Sequence, residues 1–428
     1  MARAVSYKAG YIASLGKDNI PSELKGNEGL VYSSPATLAY NSPGAEGFGV
    51  KRAGLAVPES VMLIVAPGCC GRNTRYVTKN PEYNVRFFYL MMDETDLVTS
   101  RHLKKIPEAV KEIVEFCKVR PKAVMICITC VDALLGTDMK RVCSKCEELL
   151  EGVRVAPCYM YALTREGRRP PMVDVRQQIY SLLTPSIRKG NAINLLGFFA
   201  PVDPDCEMFE LLKSVGFDDI RQIGTCKTYD EFLKMSQANL NLVLNNEANP
   251  AAEDMYNNLK IPYAGLTRVY GIDQVAKQYK ALGQILGVEI EDSVFYEETE
   301  DKIRAFMVKF KGRKVNIGEC INANPFELAL TLTRYGMKVG EIYATLSPEH
   351  FVYVKKLAEL SPDTMLLCNL DPSMINYSAS EYAPDLTLGK DAAYYCPDVP
   401  NIPWNSDVQP YGYKGIVKLI NAIEEALS

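Results

Sequence analysis

Short, unbroken apolar runs alternate along this chain with longer amphipathic stretches, the pattern of parallel strands joined by helical crossovers. Val61–Ala66 (VMLIVA) reads as a strand buried on both faces, closed by the turn pair Pro67-Gly68. Val85–Leu90 (VRFFYL) is a second strand. The next stretch puts Ile106, Val110, Ile113, Val114 and Cys117 on one helical face, with Pro107 acceptable only in the first turn. Ala123–Ile128 (AVMICI) predicts a third strand that stops at Thr129-Cys130. A helix follows from Thr137-Asp138, either of which can cap it, and Val153–Ala156 closes this region.

The polar, proline-bearing segment Arg165–Pro171 (REGRRPP) reads as a connection. A second βαβ unit starts at Ile193–Phe199; Phe209, Leu212 and Val215 line its helix, and a strand follows at Leu240–Leu244. A third starts at Lys311-Gly312-Arg313, where strand Lys314–Ile317 runs into Gly318. After it come a helix near Phe326–Tyr335 and strands at Lys338–Ala344 and Met365–Asn369. Gly412–Leu427 is an amphipathic helix with Ile416, Leu419, Ile420, Ile423 and Leu427 on one face. The pattern predicts an α/β fold of three Rossmann-like domains, with parallel sheets flanked by helices. The domains are placed at 1–190 (with an N-terminal extension), 191–310 and 311–428 (with the C-terminal helix). A length of 428 residues agrees, because single cores stop growing at about 250–300 residues.

Composition narrows the chemistry. A net charge of −4 supplies no basic field, so nucleic acid is not an expected partner. The longest apolar runs are strand-sized, far short of the ~20 residues that span a membrane. The opening MARAVSYKAGYIASLGK has no signal-peptide core, so a cytoplasmic location is expected. Thirteen cysteines in a reducing compartment remain thiols, available for packing, metal binding or redox work. Two histidines, His102 and His350, leave almost nothing for a zinc site or a Ser–His–Asp hydrolase. Abundant thiol with scarce imidazole points to a soft, sulfur-liganded metal.

Ligands of open α/β sheets gather beyond the carboxyl ends of the strands. Cys69 and Cys70 stand there after the first strand, and Cys130 after the third. They read either as iron–sulfur ligands or as small packed residues. Cys127, inside the strand, is expected in the core. Cys143 and Cys146 form a C-x-x-C within a predicted helix, with no second pair to complete a zinc ribbon, so packing is expected. Cys320 and Cys396 fall in strand-end loops; packing is expected for them as for Cys158, Cys206, Cys226 and Cys368. His102 is expected as a solvated residue at a helix start, and Arg165–Arg169 as a wet loop. The lone tryptophan, Trp404, either lines a pocket or covers the core.

These motifs resemble the component 1 subunits of nitrogenase and nitrogenase-like oxidoreductases. That family has H-G-P-x-G-C after its first strand; here it reads Val65-Ala66-Pro67-Gly68-Cys69-Cys70. Its acidic T-D-x-x-E-x-D-I-V-x-G-x-x-K-K-L segment is matched by Met92 through Ile106 (MDETDLVTSRHLKKI), and its S-T-C-x-x-x-L-I-G-D-D-I by Ile128 through Met139 (ITCVDALLGTDM). Asp254-Met255 through Lys260-Ile261-Pro262-Tyr263 is similar to its M-E-x-x-x-G-I-P-Y, and the last helix is similar as well.

The resemblance implies three α/β domains and an iron–sulfur cluster at a subunit interface. Cys70 and Cys130 would be the metal ligands, with Cys69 where the family has Gly. It also implies a second component 1-like subunit and an ATP-dependent iron–sulfur reductase that feeds electrons to the cluster, and a substrate or cofactor pocket between the domains. The family often has an earlier cluster cysteine before a Pro-x-Gly-Ala stretch; this chain has Asn41-Ser42-Pro43-Gly44-Ala45 and no cysteine before Cys69. Two thiolates per chain then imply a 4Fe-4S cluster completed across the interface. The family's cofactor-anchoring Cys is absent from Leu244–Asn249, and no His follows His350. The implied role is the electron-relay subunit or the tetrapyrrole-reducing branch. A scaffold for metallocluster assembly and a non-catalytic binding protein are the alternatives.

Overall fold

The computed structural model describes residues 3–26, 36, 49–68, 81–130, 135–160, 169–378 and 383–428. A short strand β1 (Tyr7–Lys8) precedes three sheets, and the expected apolar runs supply their central strands. The first sheet has β2 (Ser60–Ala66), β3 (Phe87–Met91), β4 (Ala123–Thr129) and β5 (Arg154–Met160) in the order β3-β2-β4-β5, all parallel. Every residue of β2 and β4 is buried, which is why both read as continuous apolar runs rather than as alternation. The second sheet is likewise parallel: β6 (Ala192–Leu196), β7 (Asp219–Arg221), β8 (Leu240–Val243) and β9 (Tyr263–Gly265), ordered β7-β6-β8-β9.

The third sheet contains β10 (Lys314–Gly318), β11 (Lys338–Tyr343), β12 (Met365–Leu367), β13 (Leu386–Leu388) and β14 (Asn401–Ile402). Its order is β1-β12-β11-β10-β13-β14, parallel except for β1, which runs antiparallel along the edge beside β12. That edge strand, two residues long, carried no sequence signal.

Two compact units result. One comprises Met1–Asn41, Val202–Gly216 and Arg268–Ser428 and holds the third sheet; the other comprises Ser42–Pro201 and Phe217–Thr267 and holds the first two. Within the latter, one apolar core joins both sheets. Ile64, Met125, Cys127 and Cys158 come from the first, Leu196 and Val243 from the second, and Val175 and Ile179 from helix α5 defined below.

The helices that matter to the site are α1 (Val50–Gly54), α2 (Glu94–Thr99), α3 (His102–Phe116), α4 (Met139–Leu149), α5 (Pro171–Tyr180), α6 (Asn249–Leu259), α7 (Ile272–Leu286), α8 (Pro325–Arg334) and α9 (Gly412–Leu427). Helix α3 begins at His102, so Pro107 lies in its second turn and not in its first. The proline ring donates no bond to the carbonyl of Leu103, a loss the helix absorbs because Ile106, Val110, Ile113 and Val114 are buried against the sheet. Asp138 caps α4 by accepting from the Arg141 N–H at 3.1 Å. On α8, the buried Glu327 carboxylate accepts from the N–H groups of Tyr270 and Gly271, each at 3.1 Å, and so caps α7 from another element. Burial raises that carboxyl to about 7.

Lys260 ends α6 in the left-handed region at φ 60°, the position at which the similar family motif carries glycine. A lysine Cβ is strained there, so Lys260→Gly is expected to raise unfolding stability by about 0.5–1 kcal/mol. A higher urea midpoint at unchanged slope is the check.

Candidate functional site

A parallel sheet has one crevice where its crossovers diverge, and ligands collect there. In the first sheet the connections run from β2 outward to β3 and then back across to β4, so the crevice lies between the carboxyl ends of β2 and β4. Val65 pairs with Ile128, and carrying that register forward sets Pro67 level with Cys130. The two segments singled out from the sequence are therefore neighbours at the switch point. Gly68 is the last described residue before Cys69 and Cys70, which lie outside the described residues.

Cys130 is half-buried, and its Sγ lies 3.7 Å from the carbonyl oxygen of Met160 at the end of β5. On the other side, the Tyr89 hydroxyl from β3 donates to the carbonyl of Ala66 at 2.8 Å and also reaches that of Pro67. These contacts tie down the strand ends that flank the crevice.

Four other thiols of this unit are packed away, while Cys117 and Cys226 are half-buried. Cys127 and Cys158 are register partners on β4 and β5, both fully buried. Cys143 and Cys146 lie on the inner face of α4. Burial pushes the Cys143 thiol up, and Cys146 to about 11. Cys117 and Cys226 are half-buried at helix ends; Cys130 differs from them in standing at the carboxyl end of a central strand.

The acidic segment between β3 and α3 builds a rigid wall beside this end of the sheet. Asp93 and Asp96 form a reciprocal capping box at the start of α2. The Asp96 carboxylate, fully buried, accepts from Lys105 Nζ at 2.6 Å and faces Arg101 Nε at 3.4 Å. The Lys105 ammonium holds this carboxyl below its usual range. His102 is not the solvated helix-start residue expected from sequence; it is 3% exposed. Its Nδ1 sits 3.3 Å from the Asp96 carbonyl and its Nε2 3.1 Å from Thr137 Oγ1. A carbonyl only accepts, so Nδ1 carries the proton, and both ring nitrogens are satisfied in the interior. Through Thr137 the ring braces the turn before α4.

A family model described as nitrogenase component 1 type oxidoreductase matches residues 46–428. The chain belongs to the nitrogenase component 1 type oxidoreductase family. A nitrogenase iron-molybdenum cofactor biosynthesis protein NifE from Sinorhizobium fredii is 22% identical over 92% of this chain and 83% of that protein. The Clostridium pasteurianum protein of that name is 26% identical over 50% of this chain, a match spanning 48% of the relative's own length. Among solved structures, one described as nitrogenase Cp1 at pH 6.5 superposes with a TM-score of 0.72 at 17% identity, covering 97% of this chain and 96% of that one. That likeness shows the fold.

The other two switch points of this component 1 type chain carry residues that, Cys320 excepted, the sequence did not single out. In the second sheet the crevice between β6 and β8 is filled by the chain's own Arg176, from α5. Its Nε and Nη2 donate to the Gly197 carbonyl at 3.0 and 2.8 Å, and its Nη1 donates to Met172 O and to Glu247 Oε2, each at 2.7 Å. An arginine in an amphipathic helix gives no warning of this. In the third sheet the crevice between β10 and β13 holds Glu319, Cys320, Asn369 and Asp391. Asn405 donates to the Cys320 sulfur at 3.2 Å, and burial raises that thiol to about 12. Cys396 is buried beside Tyr343, its Sγ 3.6 Å from the tyrosine hydroxyl, and packs as expected. Trp404, half-buried at φ 39°, donates its indole N–H to the Tyr270 hydroxyl at 2.7 Å. Arg169 reaches Gln177; residues 165–168 lie outside the described residues.

Among the described residues no group of three or more His, Cys, Asp or Glu is arranged to hold a metal. None of their helices is long and apolar enough to cross a membrane.

Proposed function

We propose that this chain is a subunit of a component 1 type oxidoreductase. In this reading Cys70 and Cys130 bind an iron–sulfur cluster, with Cys69 as a third ligand or neighbouring thiol. The carrying observation is the register that sets Pro67 level with Cys130 at the switch point of the first sheet, with a half-buried thiol at its rim. The donor chemistry fits: a half-buried sulfur stands at the carboxyl end of a central strand of the first sheet. When bound, the group supplies one-electron transfer; the chain's residues hold the ligand turns in place. Tyr89 pins the β2 end, and His102 holds Thr137 before α4. Iron binding would replace the Cys130 contact with Met160.

Two cysteines leave half of a four-thiolate site to be filled, so the partner is a second component 1-like subunit and the cluster a 4Fe-4S centre at their interface. The protein is cytoplasmic, and an ATP-dependent iron–sulfur reductase supplies the electrons, which pass to a substrate or cofactor pocket. The test is anaerobic co-purification with candidate partner subunits, followed by iron and acid-labile sulfide analysis and ATP-driven turnover with the reductase. A colourless, iron-free complex sinks the reading.

A second reading is a scaffold on which a metallocluster is assembled for another enzyme. It is favoured by the cofactor-biosynthesis relatives that align over 92% of the chain. Transfer of iron and sulfide from this protein to an apo-acceptor, without reductase-driven turnover, selects it over the first.

A further inference from the structure

An interior strand of the third sheet carries a carboxylate where apolar side chains are the rule. Glu341 of β11 is 4% exposed, and Tyr343, two residues on and so on the same face, is fully buried. The register of β10 and β11 slips by one residue here, from Val315 beside Val339 to Ile317 beside Ile342. Asn316 seals the slip, its side-chain oxygen accepting from the Glu341 N–H at 3.0 Å. The hydroxyls of Tyr343 and of Tyr377, which follows the helical turn Pro372–Asn376, each donate to Glu341 Oε2 at 2.7 Å. The Asn316 amide nitrogen lies 3.3 Å from the same oxygen and donates to the Tyr343 hydroxyl at 3.0 Å. The carboxylate thus meets two phenols and an amide rather than a cation.

From these phenols a run of packed rings leads outward. The buried Tyr395 ring is centred 4.6 Å from that of Tyr343 and 5.1 Å from that of Tyr377. Tyr394, its neighbour in the helical turn Ala392–Tyr395, is centred 5.2 Å from Tyr395 and is 44% exposed.

We propose that Tyr343 and Glu341 form a one-electron redox site that drains oxidising equivalents through Tyr395 to Tyr394 at the surface. The co-reactant is a one-electron oxidant of high potential. It takes an electron from Tyr343; the phenol O–H bond breaks, its proton passes to Glu341 Oε2, and a neutral tyrosyl radical stands beside a carboxylic acid. An electron then moves from Tyr394 through Tyr395 to Tyr343, and the proton returns from Glu341 to the phenol oxygen. Tyr394 releases its own proton to water and holds the radical. Burial pushes the Tyr343 phenol up, so it does not lose its proton first. Loss of the electron alone would leave a positive charge in the interior. Moving both together avoids either charge, and it requires a base in hydrogen-bond contact with the hydroxyl, which Glu341 supplies. A packing role alone would not need the carboxylate, because burying one without a cation costs stability.

Flash photolysis of ruthenium tris(bipyridine) with a sacrificial electron acceptor generates the oxidant in the presence of the whole chain, and paramagnetic resonance after freeze-quenching reads the product. The chain has 25 tyrosines, so the quantity measured is the wild-type signal minus that of Tyr343→Phe. A neutral tyrosyl spectrum is expected in that difference, forming more slowly in heavy water. Glu341→Gln retains an acceptor oxygen but takes no proton, so its signal should fall to that of Y343F. Tyr394→Phe closes the exit, and the Tyr343 radical should then live longer and resist a soluble thiol that quenches the wild type. The heavy-water and Y394F measurements stand whether or not E341Q folds. Y343F giving the same signal as wild type overturns the proposal, as does E341Q retaining the full signal or Y394F leaving lifetime and thiol quenching unchanged.

Discussion

Cys130→Ala is expected to strip the anaerobically assembled protein of its iron, whereas Cys143→Ala retains it. Both substitutions remove one sulfur from the same unit, so they differ only in where that sulfur stands. Cys143 is 6% exposed on the inner face of α4, amid Val142, Cys146 and the strand residues Ile126 and Val155. Its loss opens a small cavity, which costs about 1 kcal/mol and touches no ligand. Cys130 stands at the rim of the crevice between β2 and β4, and its contact to the Met160 carbonyl is a weak one that bonding to iron outweighs. A two-cysteine contribution cannot lose one member and still complete four thiolates. Iron and sulfide content per chain, with the visible charge-transfer absorption, is the measurement. Equal iron in the two variants would end the ligand assignment while leaving the family membership untouched.

Arg176→Met should cost about 2–4 kcal/mol of unfolding stability. The guanidinium is 6% exposed and donates to two backbone carbonyls and to Glu247 while stacking 4.6 Å from the centre of the Phe199 ring. Methionine matches its length but donates nothing, so the Gly197 carbonyl is left unsatisfied in the interior. Glu247, 45% exposed, remains solvated and limits the damage. The backbone has no room to adjust: Gly197 is at φ 127°, and a Cβ there would lie 2.7 Å from the Asn245 nitrogen. Urea unfolding of wild type and variant gives the difference directly. A loss below about 1 kcal/mol would mean that the charge's desolvation had cancelled its hydrogen bonds.

These two residues show opposite kinds of legibility. Cys130 stood out because a thiol immediately after a buried apolar run has a defined place at the end of a parallel strand. Arg176 did not, because helical periodicity says which face a residue is on but not what that face meets. His102 failed for the same reason. Its polar neighbours Arg101, Lys104 and Lys105 suggested a solvated start, while the partners that permit its burial, the Asp96 carbonyl and Thr137, come from six and thirty-five residues away.

The amino-acid order by itself determined the fold class, the cysteines worth testing and the strands built on apolar runs, but not β1, β7, β9, β13 or β14, since apolar run length and turn residues are local properties that need no partner to be read. Tertiary structure alone decided that Arg176 reaches the Gly197 carbonyl and Glu247, where the β1 edge strand attaches, and that Glu319, Asn369 and Asp391 converge. Each of those outcomes depends on strand order and on contacts between residues distant in the chain, and no local pattern encodes which strand becomes the neighbour of which.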